Sequence, residues 1–317
     1  MFNNKLLFKS NPTGLGDRLL DIFGFMVLCK YKKCKPIIIF NANEYICEWG
    51  NNTYNELLFI FEDIELTNQY AKIDILENHS SVILSPTKLF LYLSKSLKIK
   101  MDYLLFLKEY DIVSKQIKPS KIIENNIPQN LNNVYGIHLR KSDKVLINAE
   151  LEHESTPEQF NIIMNQLITD IIEIILTELC PSFLLVSEDN EWKSEFHNRL
   201  LEISNKNNKP INIIQINYEP SNHLQGYASV LDMFCLSRCK RIYQGVKYST
   251  FSLLSALIGN VPVINYAYLL DDYEKCYLHS WSPVININNV ITTDIKHDIG
   301  IKLDIPNIIY YNFPFCY

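Results

Sequence analysis

Hydrophobic and polar positions along this chain follow two alternating rhythms. Short apolar, β-branched runs bounded by polar residues alternate with longer stretches whose apolar positions recur at helical spacing. LLFK (6–9) predicts a strand, 17–31 a helix and PIIIF (36–40) a second strand. Beyond Phe40 the rhythm loosens. SVIL (81–84) reads as a strand, and IKPSKIIENNI (117–127) as a short helix opened by Pro119 and Ser120.

From Val134 the alternation becomes regular. VYGIHL (134–139) predicts a strand and 157–179 a long helix started by Pro157. FLLV (183–186), NIIQI (212–216), RIY (241–243) and VPVI (261–264) read as further strands, separated by helices over 191–203, 227–237 and 249–258. Successive strand–helix steps imply a parallel, doubly wound sheet. The first part carries its own strand–helix–strand start, so a boundary is expected in the Asn-rich PQNLNN near Asn130. The predicted fold class is α/β, with two Rossmann-like domains, 1–130 and 131–317, facing a cleft. The tail 265–317 is expected to pack back on the first domain.

Composition narrows the function classes. Among 317 residues, 47% hydrophobic and 21% charged is a globular balance that argues against extended disorder. A formal charge of −5 argues against a general nucleic-acid binder, while leaving room for a local basic pocket. The start, MFNNKLLFKSNPTG, lacks the apolar core of a secretory signal, and the longest apolar stretches read as too short for a membrane span. These features predict a soluble, cytoplasmic protein with reduced thiols. Cys235 and Cys239 share a predicted helix face, where packing is expected over metal binding. With only 9 glycines in the chain, each one is informative about backbone demands.

Four segments carry candidate chemistry. In NPTGLGDRL, Gly14 and Gly16 lie between a strand and a helix, where free N–H groups face a phosphate or the chain simply turns. Asp17 reads as a candidate N-cap. In HLRKSDKV (138–145), Arg140 offers a donor fork suited to a diphosphate, and Lys141 and Lys144 add charge. Asp143 is placed to orient Arg140 or accept from a sugar hydroxyl, and His138, on the alternating face of the strand, is a candidate donor-binding residue or a hydrogen-bonded core histidine. Glu188 and Asp189 follow another strand, as ligands for ribose or a base edge, or as a helix cap. Asp232 sits in an apolar helix, which is costly without a partner, and Ser249 and Thr250 open the next helix. Helix N-termini and a basic cluster converging on one crevice indicate an anionic ligand, most simply a nucleotide diphosphate. No strand-end Asp-x-Asp pair suits a metal, and Asp271 and Asp272 read as a solvated turn.

On these residues the chain resembles a known family. HLRKSDKV is similar to the His-x-Arg-Arg-x-Asp motif of fucosyltransferases, and especially to the His-x-Arg-Arg-Thr-Asp-Lys-Val version of the α-1,6-fucosyltransferases. The order of the glycine turn, the basic motif, the acidic pair and the Ser-Thr segment also agrees. The resemblance implies a GT-B fold and inverting transfer of fucose from GDP-fucose to a glycan hydroxyl, without metal or other cofactor. Residues 1–130 would form the acceptor side and 131–317 the nucleotide-sugar side. By position, Arg140 and Lys141 would hold the diphosphate, and Asp143 and Lys144 would shape the donor and acceptor site. Glu188 and Asp189 would lie near the guanosine, Asp232 would support the site, and Ser249 or Thr250 would bind phosphate. The loop after Val145 would supply the catalytic base, with Glu150 favoured over Glu152. Two departures stand out: Lys141 replaces an arginine, and that loop differs in length. The family's Golgi members carry a membrane anchor that this sequence does not show, which points to a cytosol or to a compartment made by a virus or parasite. A transferase using another nucleotide sugar, or a non-catalytic glycan-binding protein of this fold, remains open.

Overall fold

The structure, a computed structural model, describes residues 5–9, 14–39, 59–61, 65–67, 103–141, 145–146, 154–218, 226–247 and 249–270. In the first part these form β1 (Lys5–Lys9), α1 (Leu15–Lys32), β2 (Lys35–Ile39), β3 (Phe59–Phe61), β4 (Glu65–Thr67), α2 (Tyr103–Ser114), β5 (Ile117–Pro119) and α3 (Lys121–Glu124). The second part contributes β6 (Val134–Leu139), α4 (Pro157–Thr177), β7 (Ser182–Ser187), α5 (Asn190–Lys206) and β8 (Asn212–Ile214). It closes with α6 (Tyr227–Leu236), β9 (Arg241–Gly245), α7 (Thr250–Gly259) and β10 (Val263–Asn265).

The last five strands form one parallel sheet in the order β10-β9-β6-β7-β8. From β6 the chain winds outward through β7 and β8, then returns to the other side of β6 to lay down β9 and β10. The order therefore reverses between β6 and β9. Such a switch point leaves a crevice outside the carboxyl ends of the strands. The first part adds a parallel β1-β2-β4 sheet and an antiparallel β3–β5 pair.

Both faces of the five-stranded sheet are covered. One apolar cluster joins Ile137, Leu139, Phe183 and Leu185 to the buried stripe of α4, Phe160 to Ile175, and to Trp192, Phe196 and Leu200 of α5. The other joins Val134, Leu184, Val186 and Ile242 to α6 and α7. That second cluster continues across residue 130, taking in Leu19, Phe23 and Val27 of α1 and Tyr110 and Val113 of α2. The helix pair α6–α7 fits closely: a Cβ on Gly259 would stand 1.7 Å from the Ser237 carbonyl oxygen, so only glycine allows this approach.

Local sequence explains the helix starts. Thr156 accepts from the Gln159 N–H and donates its own N–H to the Gln159 side chain, a capping box with Pro157 in the first turn. Asp189 caps α5 by accepting from the Trp192 N–H at 2.9 Å.

Several expectations change. Residues 117–119 are a strand, and Ser120 caps a helix of one turn, because Pro119 cannot supply a helical N–H inside a longer helix. Asp17 is not the N-cap of α1; Gly14 holds that position, and Asp17 lies in the first turn. Strands β3 and β4 and helix α2 were not legible after Phe40, and the strand expected at 81–84 lies outside the described residues. By length and composition α4, with 21 residues, reaches a membrane span, against the sequence reading. Its apolar stripe is buried against the sheet while Asn161, Asn165 and Glu173 face outward, as expected of an amphipathic core helix.

Candidate functional site

The end residues of three strands are register partners. Leu139 of β6 pairs with Ser187 of β7 on one side and with Gly245 of β9 on the other. Arg140, Glu188 and Val246 therefore leave the sheet at one level, along the rim of the switch-point crevice. Helix α7 starts on the same rim, after β9.

Arg140 is half-buried, and its Nε lies 2.8 Å from Glu188 Oε1. The acidic residue after β7 thus pairs with the arginine after β6. Asp189 is engaged as the cap of α5. Lys141 is exposed, and its Nζ sits 4.6 Å from the centroid of the Trp192 ring. Trp192, Lys141, Val145, Asp189, Glu191 and Glu195 line a cavity of about 330 Å³ beside the arginine.

His138 lies one strand-pleat below Arg140 and is 6% exposed. Its Nδ1 is 2.7 Å from Ser252 Oγ and 3.4 Å from Ser249 Oγ, and the Phe251 ring packs against it in a tilted arrangement, 5.3 Å between centroids. The direction of the short bond follows the ring tautomer. Burial, and next the Arg140 charge, hold its pKa down at about 3. The expectation of a hydrogen-bonded core histidine agrees with this geometry. Beside it in register, fully buried Gln244 donates to the Val246 carbonyl at 3.1 Å.

Ser249 caps α7, its Oγ accepting from the Ser252 N–H at 3.3 Å. Thr250 follows in the first turn and is half-buried. The far end of α7 is met by the end of α2: Lys115, just past that helix, donates to the Leu257 carbonyl. The helix thus has a cation at its negative end and its positive end at the crevice. The two glycines of the first turn differ in purpose. A Cβ on Gly16 would stand 2.7 Å from Thr250 Oγ1 and 2.8 Å from the Phe251 nitrogen, so glycine is what lets α1 and α7 bring their N-terminal turns together. Nothing lies within 4 Å of the corresponding point on Gly14, which is exposed.

Asp232 has the partner its burial demands. Tyr218 donates its hydroxyl to Oδ1 at 2.6 Å, tying the segment after β8 to α6. Burial, then the Asp232 charge, raises the tyrosine pKa. Cys235 and Cys239 are buried in the core, their thiols pushed up, to about 12 for Cys239, chiefly by burial. Among the described residues no group of three or more His, Cys, Asp or Glu side chains is placed to hold a metal ion.

Asp143, Lys144, Glu150 and Glu152 lie outside the described residues, as do Asp271 and Asp272. The loop that carries the two glutamates is tied at its foot by a parallel bridge between Val145 and Ser155, and by the Leu146 N–H donating to the Ser155 carbonyl at 3.0 Å. Glu154, next to that bridge, is buried.

Sequence reasoning passed over some residues of this rim. Trp192, three residues after Asp189, was not singled out, although it lines the cavity. Lys247, 4% exposed, sits between Gly245 and Ser249. Arg18 and Asp21 are fully buried within α1. Charged residues three apart in an apolar helix are the same signal that singled out Asp232.

No protein-family model and no curated protein matches the chain. Solved structures do. A NodZ alpha-1,6-fucosyltransferase soaked with GDP-fucose aligns over 83% of this chain and 95% of its own, with a TM-score of 0.52 at 12% identity. Fucosyltransferase NodZ from Bradyrhizobium aligns with a TM-score of 0.53 at 11% identity, over 83% of this chain and 96% of its own. A variant of Arabidopsis thaliana FUT1 in complex with GDP aligns over 82% of this chain and 69% of its own, with a TM-score of 0.50 at 12% identity. At this identity the likeness shows the fold, the GT-B arrangement of these fucosyltransferases.

Proposed function

We propose that this protein is a glycosyltransferase that transfers fucose from GDP-fucose to a hydroxyl of a glycan acceptor, with inversion at the anomeric carbon. One observation carries the reading: Arg140 and the N-terminal turn of α7 flank the switch point of a sheet whose fold is shared with fucosyltransferases solved with GDP or GDP-fucose. A guanidinium fork and a helix N-terminus suit a departing diphosphate.

In the reaction, the acceptor hydroxyl gives its proton to a carboxylate while its oxygen bonds to the anomeric carbon. The bond from that carbon to the diphosphate oxygen breaks, and its electron pair leaves with GDP. Arg140, Lys141, Thr250 and the free N–H groups of α7 take up the developing charge. Glu150 is the preferred base, ahead of Glu152, and Asp143 and Lys144 border the reacting sugar. Residues 1–130 serve the acceptor and 131–317 the donor.

A panel of GDP, UDP, ADP and CMP, measured by calorimetry, tests the reading. GDP should bind best, and Arg140→Ala should weaken it at least about tenfold, since a charge-assisted hydrogen bond contributes roughly 1.5–3 kcal/mol. Preference for another nucleotide would move the protein to a different donor. Failure to hydrolyse GDP-fucose slowly without acceptor would favour a glycan-binding protein.

A further inference from the structure

The two sides of the crevice belong to different segments of chain. Arg140 extends from β6, whereas Thr250 belongs to a helix that follows β9. A diphosphate held between them requires a fixed distance from one side to the other. Backbone pairing between β6 and β9 ends at Leu139 and Gly245, below both groups. Above that level a cross-link has to come from side chains.

His138 is placed to supply it. The imidazole projects from β6, two residues before Arg140, and its Nδ1 meets Ser252 Oγ at 2.7 Å in the first turn of α7. Ser252 is itself tied to the cap, its N–H donating to Ser249 Oγ at 3.3 Å. Phe251 closes over the ring at 5.3 Å, and all of Ser249, Ser252 and His138 are buried. The contact is therefore dry, where a hydrogen bond constrains geometry more strongly than at a wet surface. The turn is bounded on its other side by Gly16, whose missing side chain lets α1 lie against Thr250 and Phe251. Gln244, in register with His138, holds the Val246 carbonyl in the segment that leads into the cap.

We propose that His138 is a positioning residue: through Ser252 it fixes the first turn of α7 to the end of β6, and so sets the separation of Thr250 and Arg140 for the donor diphosphate. The inference rests on the functional reading above. His138 touches neither donor nor acceptor in this scheme; it acts through the turn.

The test compares GDP affinity, by calorimetry, in the parent, His138→Leu, His138→Asn and Ser252→Ala, with Ser255→Ala as control. Ser255 is buried in the same helix and donates to the Phe251 carbonyl at 2.9 Å, so its loss perturbs α7 without touching the cross-link. His138→Leu and Ser252→Ala should each weaken GDP about tenfold, the scale of one lost buried hydrogen bond. The double variant should be no worse than His138→Leu alone, because that change already removes the bond to Ser252. His138→Asn keeps a polar atom close to the Nδ1 position and should stay within about threefold of the parent. Ser255→Ala should lower thermal stability and leave GDP affinity unchanged. Additive losses in the double variant, or an equal loss of affinity in Ser255→Ala, would overturn the positioning role. So would parental affinity in Ser252→Ala, which reads the same bond if His138→Leu fails to fold. If the parent itself binds no GDP, the functional reading fails first and this inference falls with it; parental GDP binding with unaffected variants sinks the inference alone.

Discussion

The protein's response to mild acid tests how the site is built. His138 is buried, with a pKa of about 3 against an ordinary 6.5, because burial penalises the imidazolium and the Arg140 charge opposes it. In the unfolded chain the same ring takes up a proton near pH 6.5. Between those two values the unfolded state holds one more proton, so stability falls as pH falls, by up to about 1.4 kcal/mol per pH unit. The full stability is present above pH 6.5 and is lost progressively towards pH 3. From about pH 7.5 to about pH 5 the loss from this group comes to about 2 kcal/mol. Glu178 does not interfere, because its carboxylate, held low first by the Tyr135 hydroxyl and then by Lys240, costs stability only as pH falls below its ordinary 4.5. The measurement is urea unfolding of the parent and of His138→Asn across this range. Histidines common to both proteins cancel in the difference, and only the pH slope is read. The variant should lose about 2 kcal/mol less than the parent over the interval. Equal slopes would mean that the folded protein protonates this ring as readily as the unfolded chain, and the argument from burial would be wrong.

Gly16→Ala should cost roughly 1–3 kcal/mol in urea unfolding, since its Cβ would meet Thr250 Oγ1 at 2.7 Å and the Phe251 nitrogen at 2.8 Å, while Gly14→Ala should stay within about 0.5 kcal/mol of the parent. Glu150→Gln should cut turnover roughly 10²–10⁴-fold with GDP binding retained; near-parental rates in both Glu150→Gln and Glu152→Gln would place the base elsewhere. Transfer should survive EDTA, because Arg140, Lys141 and the helix N-termini supply positive charge at the leaving group, and a strict Mn²⁺ requirement would refute this.

The second part of the chain was legible because each strand there is a short apolar run followed by a strongly periodic helix. Local pattern and tertiary demand agree from Val134 to Asn265, so the parallel sheet could be read directly, whereas the strand order that creates its switch point could not. The 117–127 segment failed because its apolar spacing suits a helix, while Pro119 and pairing with β3 make its start a strand. Long-range pairing of that kind leaves no local trace. At the site, residue types were readable but partnerships were not. That Glu188 meets Arg140, that His138 meets Ser252, and that Gly16 serves Thr250 all depend on register between segments far apart in sequence.

The Arg140–Glu188 pair raises a question of sign, because a carboxylate beside a diphosphate site is repulsive unless it does something else. Its Nε–Oε1 separation is 2.8 Å, and the side chains are 30% and 45% exposed. An exposed ion pair contributes on the order of 0–1 kcal/mol, whereas charge-assisted bonds from a guanidinium to phosphate contribute roughly 1.5–3 kcal/mol each. The donor therefore wins the competition, and Glu188 acts mainly to aim the fork before the donor arrives. Gln in its place keeps an acceptor for Nε and removes the repulsion. Glu188→Gln should therefore bind GDP within about threefold of the parent or more tightly, with the difference shrinking as salt is raised. Its alternative role, accepting from ribose hydroxyls, predicts the opposite sign. A loss of about tenfold or more in GDP affinity, absent when the free phosphate or pyrophosphate is used instead, would place this carboxylate on the nucleoside and refute the aiming role.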